Sequence, residues 1–213
     1  MSKPHPRTPT TLQYALLGLL GRRSLTGYEI LKRFTRSVVF FWNARQSQVY
    51  AALDRMEQLG LVTSRVVVQQ QRPNRRHYTM TAAGRAALHG WLEGETPAQP
   101  VKDEMLLRVF FSDPLPARQV AASLLRHGKA HERVRAEFEA IRTALEERYG
   151  PIGTTADRPL AFRYLVLEQG IRFERMYADW CRWAAGALER VRVRDRAHTP
   201  ALTGADVIVS AAE

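Results

Sequence analysis

The chain opens with a helical rhythm. Leu12, Ala15, Leu16, Leu19 and Leu20 recur at i, i+3, i+4, i+7 and i+8, the spacing of a helix that buries one face. Thr10 or Thr11 can cap it, and Gly21 supplies a stop. A second helix is predicted from Thr26, with Tyr28, Ile30, Leu31 and Phe34 as its apolar members. The β-branched and aromatic stretch from Val38 to Asn43 reads as a turn that packs on the core. A third helix starts near Gln46 or Ser47 and runs to Leu59, with Gly60 just beyond. Val49, Ala52, Leu53, Met56 and Leu59 face inward, which leaves Ser47, Gln48, Tyr50, Ala51, Asp54 and Arg55 outside. The rhythm then changes. Leu61 to Val68 is a β-branched run, Gln69 to Asn74 a polar tip, and Arg75 to Thr81 a return strand with Tyr78 and Met80 on one face. A fourth helix opens after Thr81, with Ala86, Ala87, Leu88 and Trp91 expected inside.

A Pro/Gly/polar segment at 93–100 marks the domain boundary. Beyond it, Val101 to Phe111 predicts a short helix with Met105, Leu106, Val109 and Phe110 apolar. From Pro116 a long stripe follows: Val120, Leu124, His127, His131, Val134, Phe138, Ile141, Leu145 and Tyr149, closed by Gly150-Pro151. A second long helix, Pro159 to Arg194, carries Phe162, Val166, Gly170, Phe173, Tyr177, Trp180, Ala184, Leu188 and Val191. Two such stripes cannot satisfy one another alone, and a two-fold partner is the usual third surface. Residues 1–10 are expected to form a flexible arm, 11–92 one domain, 101–194 a helical domain, and 195–213 a mobile tail.

Charge separates the same two regions. The whole chain carries +11, and residues 1–93 hold 14 basic against 4 acidic residues. The remainder holds 18 against 17. A basic module joined to a neutral one implies a polyanionic partner for the first and another task for the second. DNA, RNA and anionic lipid all fit charge alone. No apolar run approaches the roughly 18–20 residues of a membrane span, and the N-terminus lacks the apolar region of a secretory signal. One cysteine, Cys181, excludes an internal disulfide framework. These features suggest a cytoplasmic protein.

The outward first turn of the third helix is small, amide-bearing and aromatic, with no acid before Asp54. Such groups hydrogen-bond base edges and phosphates, and a helix N-terminus favours an anion. An arginine-bearing hairpin directly after that helix reads as a wing. Leu12 to Leu20, Leu25-Thr26-Gly27-Tyr28-Glu29-Ile30, Ser47 to Val62 and Arg72-Pro73-Asn74-Arg75-Arg76-His77-Tyr78-Thr79-Met80-Thr81-Ala82-Ala83-Gly84 occur in one order. In these four segments the chain resembles the PadR family of transcriptional regulators. Two departures stand in the wing: Gln-Arg-Pro replaces the usual Gly-Arg-Pro, and His77 replaces an aromatic. The second half resembles the family's long form in organisation, with Asp103 to Phe111 as its motif-like part.

The resemblance implies a mainly α fold: a winged helix-turn-helix DNA-binding domain followed by an all-helical C-terminal dimerisation domain. It implies a homodimeric regulator of transcription, a repressor, that binds operator DNA and responds to a small lipophilic or phenolic effector. Arg45, Ser47, Gln48, Tyr50, Arg72, Asn74, Arg75, Arg76 and Lys32 are the candidate DNA-binding residues. Phe110, His127, His131, Phe162, Phe173, Tyr177 and Trp180 are candidates for an effector or dimer pocket. His127 and His131 stand at a spacing that can share a metal, but without a third ligand near in sequence they read as interface histidines. Tyr50 is expected to have little core to fill, and Cys181 to be a buried, inert thiol. No cofactor, no metal and no catalytic constellation is expected, since nucleotide-loop, nucleophile-elbow and zincin patterns are all missing. The rival reading is a winged-helix protein–protein adaptor without specific DNA binding.

Overall fold

A computed structural model describes residues 8–21, 23–38, 42, 44–68, 74–96, 102–151, 153–154 and 157–190. The chain divides into two compact units, residues 1–100 and 101–213. Residues 1–7 of the expected arm 1–10, the wing tip 69–73 with Arg72, the end of the second long helix with Val191, and the tail 195–213 lie outside the described residues.

In the first unit, helix α1 (Thr11–Leu20) starts at a reciprocal cap. The Thr10 hydroxyl accepts from the Gln13 N–H, and the Gln13 side chain accepts from the Thr10 N–H. Gly21 ends it with φ +55°, a left-handed conformation that glycine adopts without strain. A two-residue strand β1 (Leu25–Thr26) follows, which the sequence pattern did not predict. Thr26 then caps α2 (Gly27–Ser37) through the same kind of box with Glu29. Those hydrogen bonds, chiefly from Thr26, hold the Glu29 carboxyl below its usual range. Helix α3 (Gln46–Gln58) ends before Gly60, whose φ is +69°. Strands β2 (Val62–Val67) and β3 (Arg75–Met80) pair antiparallel, and β1 adds on the other side of β3, giving the order β1-β3-β2. Helix α4 (Ala82–Glu93) closes the unit.

The core of this unit is Leu16, Leu17, Leu20, Ile30, Phe34, Val49, Leu53, Met56, Val62, Tyr78 and Met80. Three inward assignments are corrected. Tyr28 is 66% exposed, because it follows Gly27 in the first turn of α2 and points away from the Ile30–Phe34 side. Trp91 is 43% exposed and stacks one face on Tyr14, with ring centroids 5.0 Å apart. Ala86 is also exposed. On α4 it is Gly84 that is buried, so close under β2 that a Cβ there would overlap the Leu61 carbonyl oxygen.

The second unit is helical. Helix α5 (Glu104–Phe110) is capped by Asp103, whose carboxylate accepts from the N–H groups of Met105 and Leu106. Helices α6 (Ala117–Tyr149) and α7 (Arg158–Arg190) are 33 residues each and pack along one another. Gly128 permits a close approach: an added Cβ there would stand 3.0 Å from the Cys181 Cβ. The buried face of α7 is Leu160, Tyr164, Ile171, Tyr177, Ala178, Cys181 and Ala185. The predicted stripe follows it only in the second half of the helix: Tyr177 is buried and Trp180, Ala184 and Leu188 pack against the core, whereas Phe162, Val166 and Phe173 are 55%, 47% and 44% exposed. α7 therefore has two apolar faces, and the predicted stripe runs from the outer one onto the inner one. No helix of the described residues is long and apolar enough to cross a membrane.

Candidate nucleic-acid interface

The first turn of α3 stands in solvent. Arg45, Gln46, Ser47 and Gln48 are all exposed while Val49, Ala52, Leu53 and Met56 hold the other side in the core. The Gln48 side-chain oxygen accepts from the Arg45 N–H at 2.8 Å. That bond fixes the cap and leaves the amide nitrogen, with two donors, uncommitted to the helix. Tyr50 differs from expectation. It is half-buried, packed against the core, and lies over Gly27, where a Cβ would come within 2.7 Å of its ring. Gly27 thus lets α3 sit close on the start of α2, and Tyr28 stands exposed beside that contact. The spacing of Tyr28 from Ile30, Leu31 and Phe34 had resembled that of a core position.

On the wing, Arg75 and Arg76 part company. Strand alternation puts Arg76 on the side of Tyr78 and Met80, and Arg75 on the other. Arg75 pairs with Val67 and is exposed, with no ion pair among the described residues. Arg76 is held within the chain. Its Nη1 donates to Asp54 at 2.9 Å, its Nη2 to Glu57, and its Nε to the Ser64 hydroxyl at 2.8 Å. The guanidinium also lies 5.2 Å from the centre of the Tyr78 ring. Three of its five N–H donors therefore have acceptors within the chain, while the side chain stays 41% exposed. Glu57 is held below the ordinary carboxylate range, first by the Ser64 hydrogen bond and then, against a burial penalty, by Arg76. Asn74 and Lys32 are exposed, the first just before β3 and the second on α2.

The candidates in the helical unit do not all meet. His127, His131, Phe173, Tyr177 and Trp180 form one cluster on α6 and α7. Tyr177 stacks on His131 with centroids 4.2 Å apart and meets Trp180 edge-on at 5.4 Å. The two imidazole Nε2 atoms lie 3.3 Å apart, and His131 Nδ1 contacts the Glu174 carboxylate. The Tyr177 hydroxyl donates to Asp103, tying α7 to the start of α5. Burial and then that bond push the Tyr177 hydroxyl far up. Phe110 and Phe162 stand apart from this cluster: Phe110 packs edge-on to Phe111 in solvent, and Phe162 lies eleven residues before Phe173 under the Arg158 guanidinium. Glu174 was not legible beforehand, since only the pairing of α6 with α7 brings it to His131. Among the described residues no group of three His, Cys, Asp or Glu side chains is set to hold a metal ion. Cys181 is buried, and burial pushes its thiol up.

Family comparisons follow this division. Residues 16–90 match the Transcriptional regulator PadR-like family, and residues 101–189 match Virulence activator alpha C-term. The chain is 32% identical over 176 residues to the Negative transcriptional regulator PadR of Bacillus subtilis, covering 79% of this chain and 92% of that protein. The chain belongs to the PadR-like family of transcriptional regulators. Its fold is that of the B. subtilis PadR structure in complex with operator DNA, with a TM-score of 0.74 at 27% identity over 84% of this chain and 99% of that one. The same relative in complex with p-coumaric acid gives 0.69 at 27% identity, covering 85% and 100%. The Vibrio cholerae virulence activator AphA gives 0.68 at 26%, covering 84% and 98%. This is a family of regulators and not of enzymes.

Proposed function

We propose that two copies of this PadR-like chain form a repressor that seats both α3 helices in successive major grooves of an operator, roughly 34 Å apart. The observation that carries the reading is the exposed, acid-free start of α3, where Arg45, Ser47 and Gln48 surround a helix N-terminus. Ser47 and Gln48 read base edges. Arg45, Tyr50, Lys32, Asn74, Arg75 and Arg72 supply positioning contacts to the backbone. The relative crystallised with operator DNA supports this use of the fold.

A second copy is called for by the outer face of α7, where Phe162, Val166, Phe173 and Met176 are exposed at helical spacing. The relative bound to p-coumaric acid supports a small phenolic or lipophilic effector. It would engage the helical unit near His127, His131, Phe173, Tyr177 and Trp180. Binding there would favour a different dimer spacing and weaken DNA binding by population shift.

Footprinting of the full chain on DNA flanking its own coding region tests the proposal. A protected site with two-fold symmetry is expected, and no enrichment over bulk DNA would favour the adaptor instead. If each copy neutralises about three to five phosphates, affinity falls by several decades per decade of salt. Arg75→Ala flattens the slope by about one for each phosphate left without its cation, and an unchanged slope removes Arg75 from the DNA-facing surface.

A further inference from the structure

We propose that Arg76 is a positioning residue that locks the wing to the recognition helix and so governs operator affinity without touching DNA. This rests on the DNA-binding reading above. The outer wing has little packing of its own. In β2 only Val62 is buried and Ser64 half-buried; from Arg65 onward every residue is exposed, with Val66, Val67 and Val68 at 54%, 39% and 77%. Among the described residues of the outer half of the hairpin, no buried apolar side chain therefore holds it against the body of the unit. At this boundary sits Arg76. Its planar fork has donors in fixed directions, and they reach three acceptors on two other elements: Asp54 and Glu57 on α3 and Ser64 on β2. The Ser64 hydroxyl donates in turn to Glu57 at 2.7 Å, which closes a ring of hydrogen bonds.

A single exposed ion pair contributes little to stability. Several charge-assisted bonds that share one guanidinium fix an angle, because each restrains the geometry of the others. The trio Arg76, Asp54 and Glu57 also carries net negative charge, which is a poor surface for a phosphate. The cation most easily taken for a clamp is thus a strut, and the two acids stand on the DNA-facing helix because they hold the wing to it.

The test uses a duplex selected from a random library by the full-length chain, and a scrambled duplex of the same composition. Binding of both is followed against salt for Arg76→Lys, Arg76→Gln, Ser64→Ala and the double variant Asp54→Asn/Glu57→Gln. Arg76→Lys and Arg76→Gln should each lose roughly tenfold on the selected duplex, the scale expected for members of one salt-bridge network, with the salt slope unchanged. Ser64→Ala removes one acceptor and should lose less. The double variant should bind the selected duplex more weakly and the scrambled one more tightly, since two negative charges near the phosphates are gone. Full affinity in Arg76→Lys, or a slope smaller by about one in Arg76→Gln, would make Arg76 a phosphate contact and overturn the proposal. Tighter binding of both duplexes by the double variant would do the same, by reducing the acids to simple repulsion. Failure of the unaltered chain to select any duplex would instead remove the DNA-binding reading, and the strut with it. Ser64→Ala alters no charge, so full affinity in that variant would overturn the strut even if an Arg76 variant fails to fold.

Discussion

The two units bury their apolar residues to different degrees of completion. In the first, Leu16, Leu17, Ile30, Phe34, Val49, Leu53 and Met56 are all sealed, drawn from three helices that cross over a small sheet. In the second, α6 and α7 share one long seam, but Phe162, Leu165, Val166, Phe173, Met176 and Trp183 on the other side of α7 stay exposed. A helix pair has only one mutual face, so a second apolar stripe has no partner within the chain. This contrast is the ground for the association proposed above. The winged unit seals its main core within itself, whereas the helical unit leaves one apolar face of α7 uncovered within the chain.

Substitutions can probe each side of that contrast. The largest effect is expected in the closed core: Phe34→Ala should cost about 3–5 kcal/mol by cavity formation, read as a drop in the melting temperature of the winged unit. Next comes Phe162→Ser on the outer face of α7. It should weaken association by about 1.5–3 kcal/mol per copy, the worth of burying such a ring, while leaving far-ultraviolet circular dichroism unchanged. Sedimentation over a concentration series reads this, and unaltered association would place the partner surface elsewhere.

Smaller effects refine the packing within each unit. Gly84→Ala should destabilise the winged unit by about 1–3 kcal/mol, because the new Cβ overlaps the Leu61 carbonyl and the backbone must move. Denaturant titration would show it, and a neutral result would mean that α4 shifts freely. Tyr177→Phe should cost about 0.5–1.5 kcal/mol, the net value of one hydrogen bond. A pH effect accompanies it. Burial and the bond to Asp103 raise the Tyr177 hydroxyl above its ordinary value of 10.0. The folded state therefore keeps a proton that the unfolded chain releases. That contribution is fully present below about pH 10 and is lost as pH rises further. Thermal melts of Tyr177→Phe should decline less steeply with alkaline pH than those of the unaltered chain.

Much of the fold was legible because local signals agreed with one another. Thr10, Thr26 and Gly60 mark helix ends through hydrogen bonds or backbone freedom that involve only near neighbours. The inward set Val49, Ala52, Leu53 and Met56 followed from one period, and it left Ser47 and Gln48 outside, where they stand. The wing arginines show a signal that was present and not used. Tyr78 and Met80 share the inner face, so the period of two already placed Arg76 with them and Arg75 opposite. α7 shows a signal that misled. Its apolar residues cover more than one face, and periodicity cannot say which face meets α6.

The order of amino acids sets which segments become helix or strand, where they stop, and that positive charge gathers in the first ninety residues. Those properties depend on side-chain period, caps and composition, all of which act within a few residues. Packing in three dimensions was needed to bring Arg76 to Asp54, Glu57 and Ser64, to rest Tyr50 on Gly27, and to set Glu174 against His131. Each of these pairs residues from different elements, and their meeting depends on how whole helices and strands pack, which no local pattern encodes.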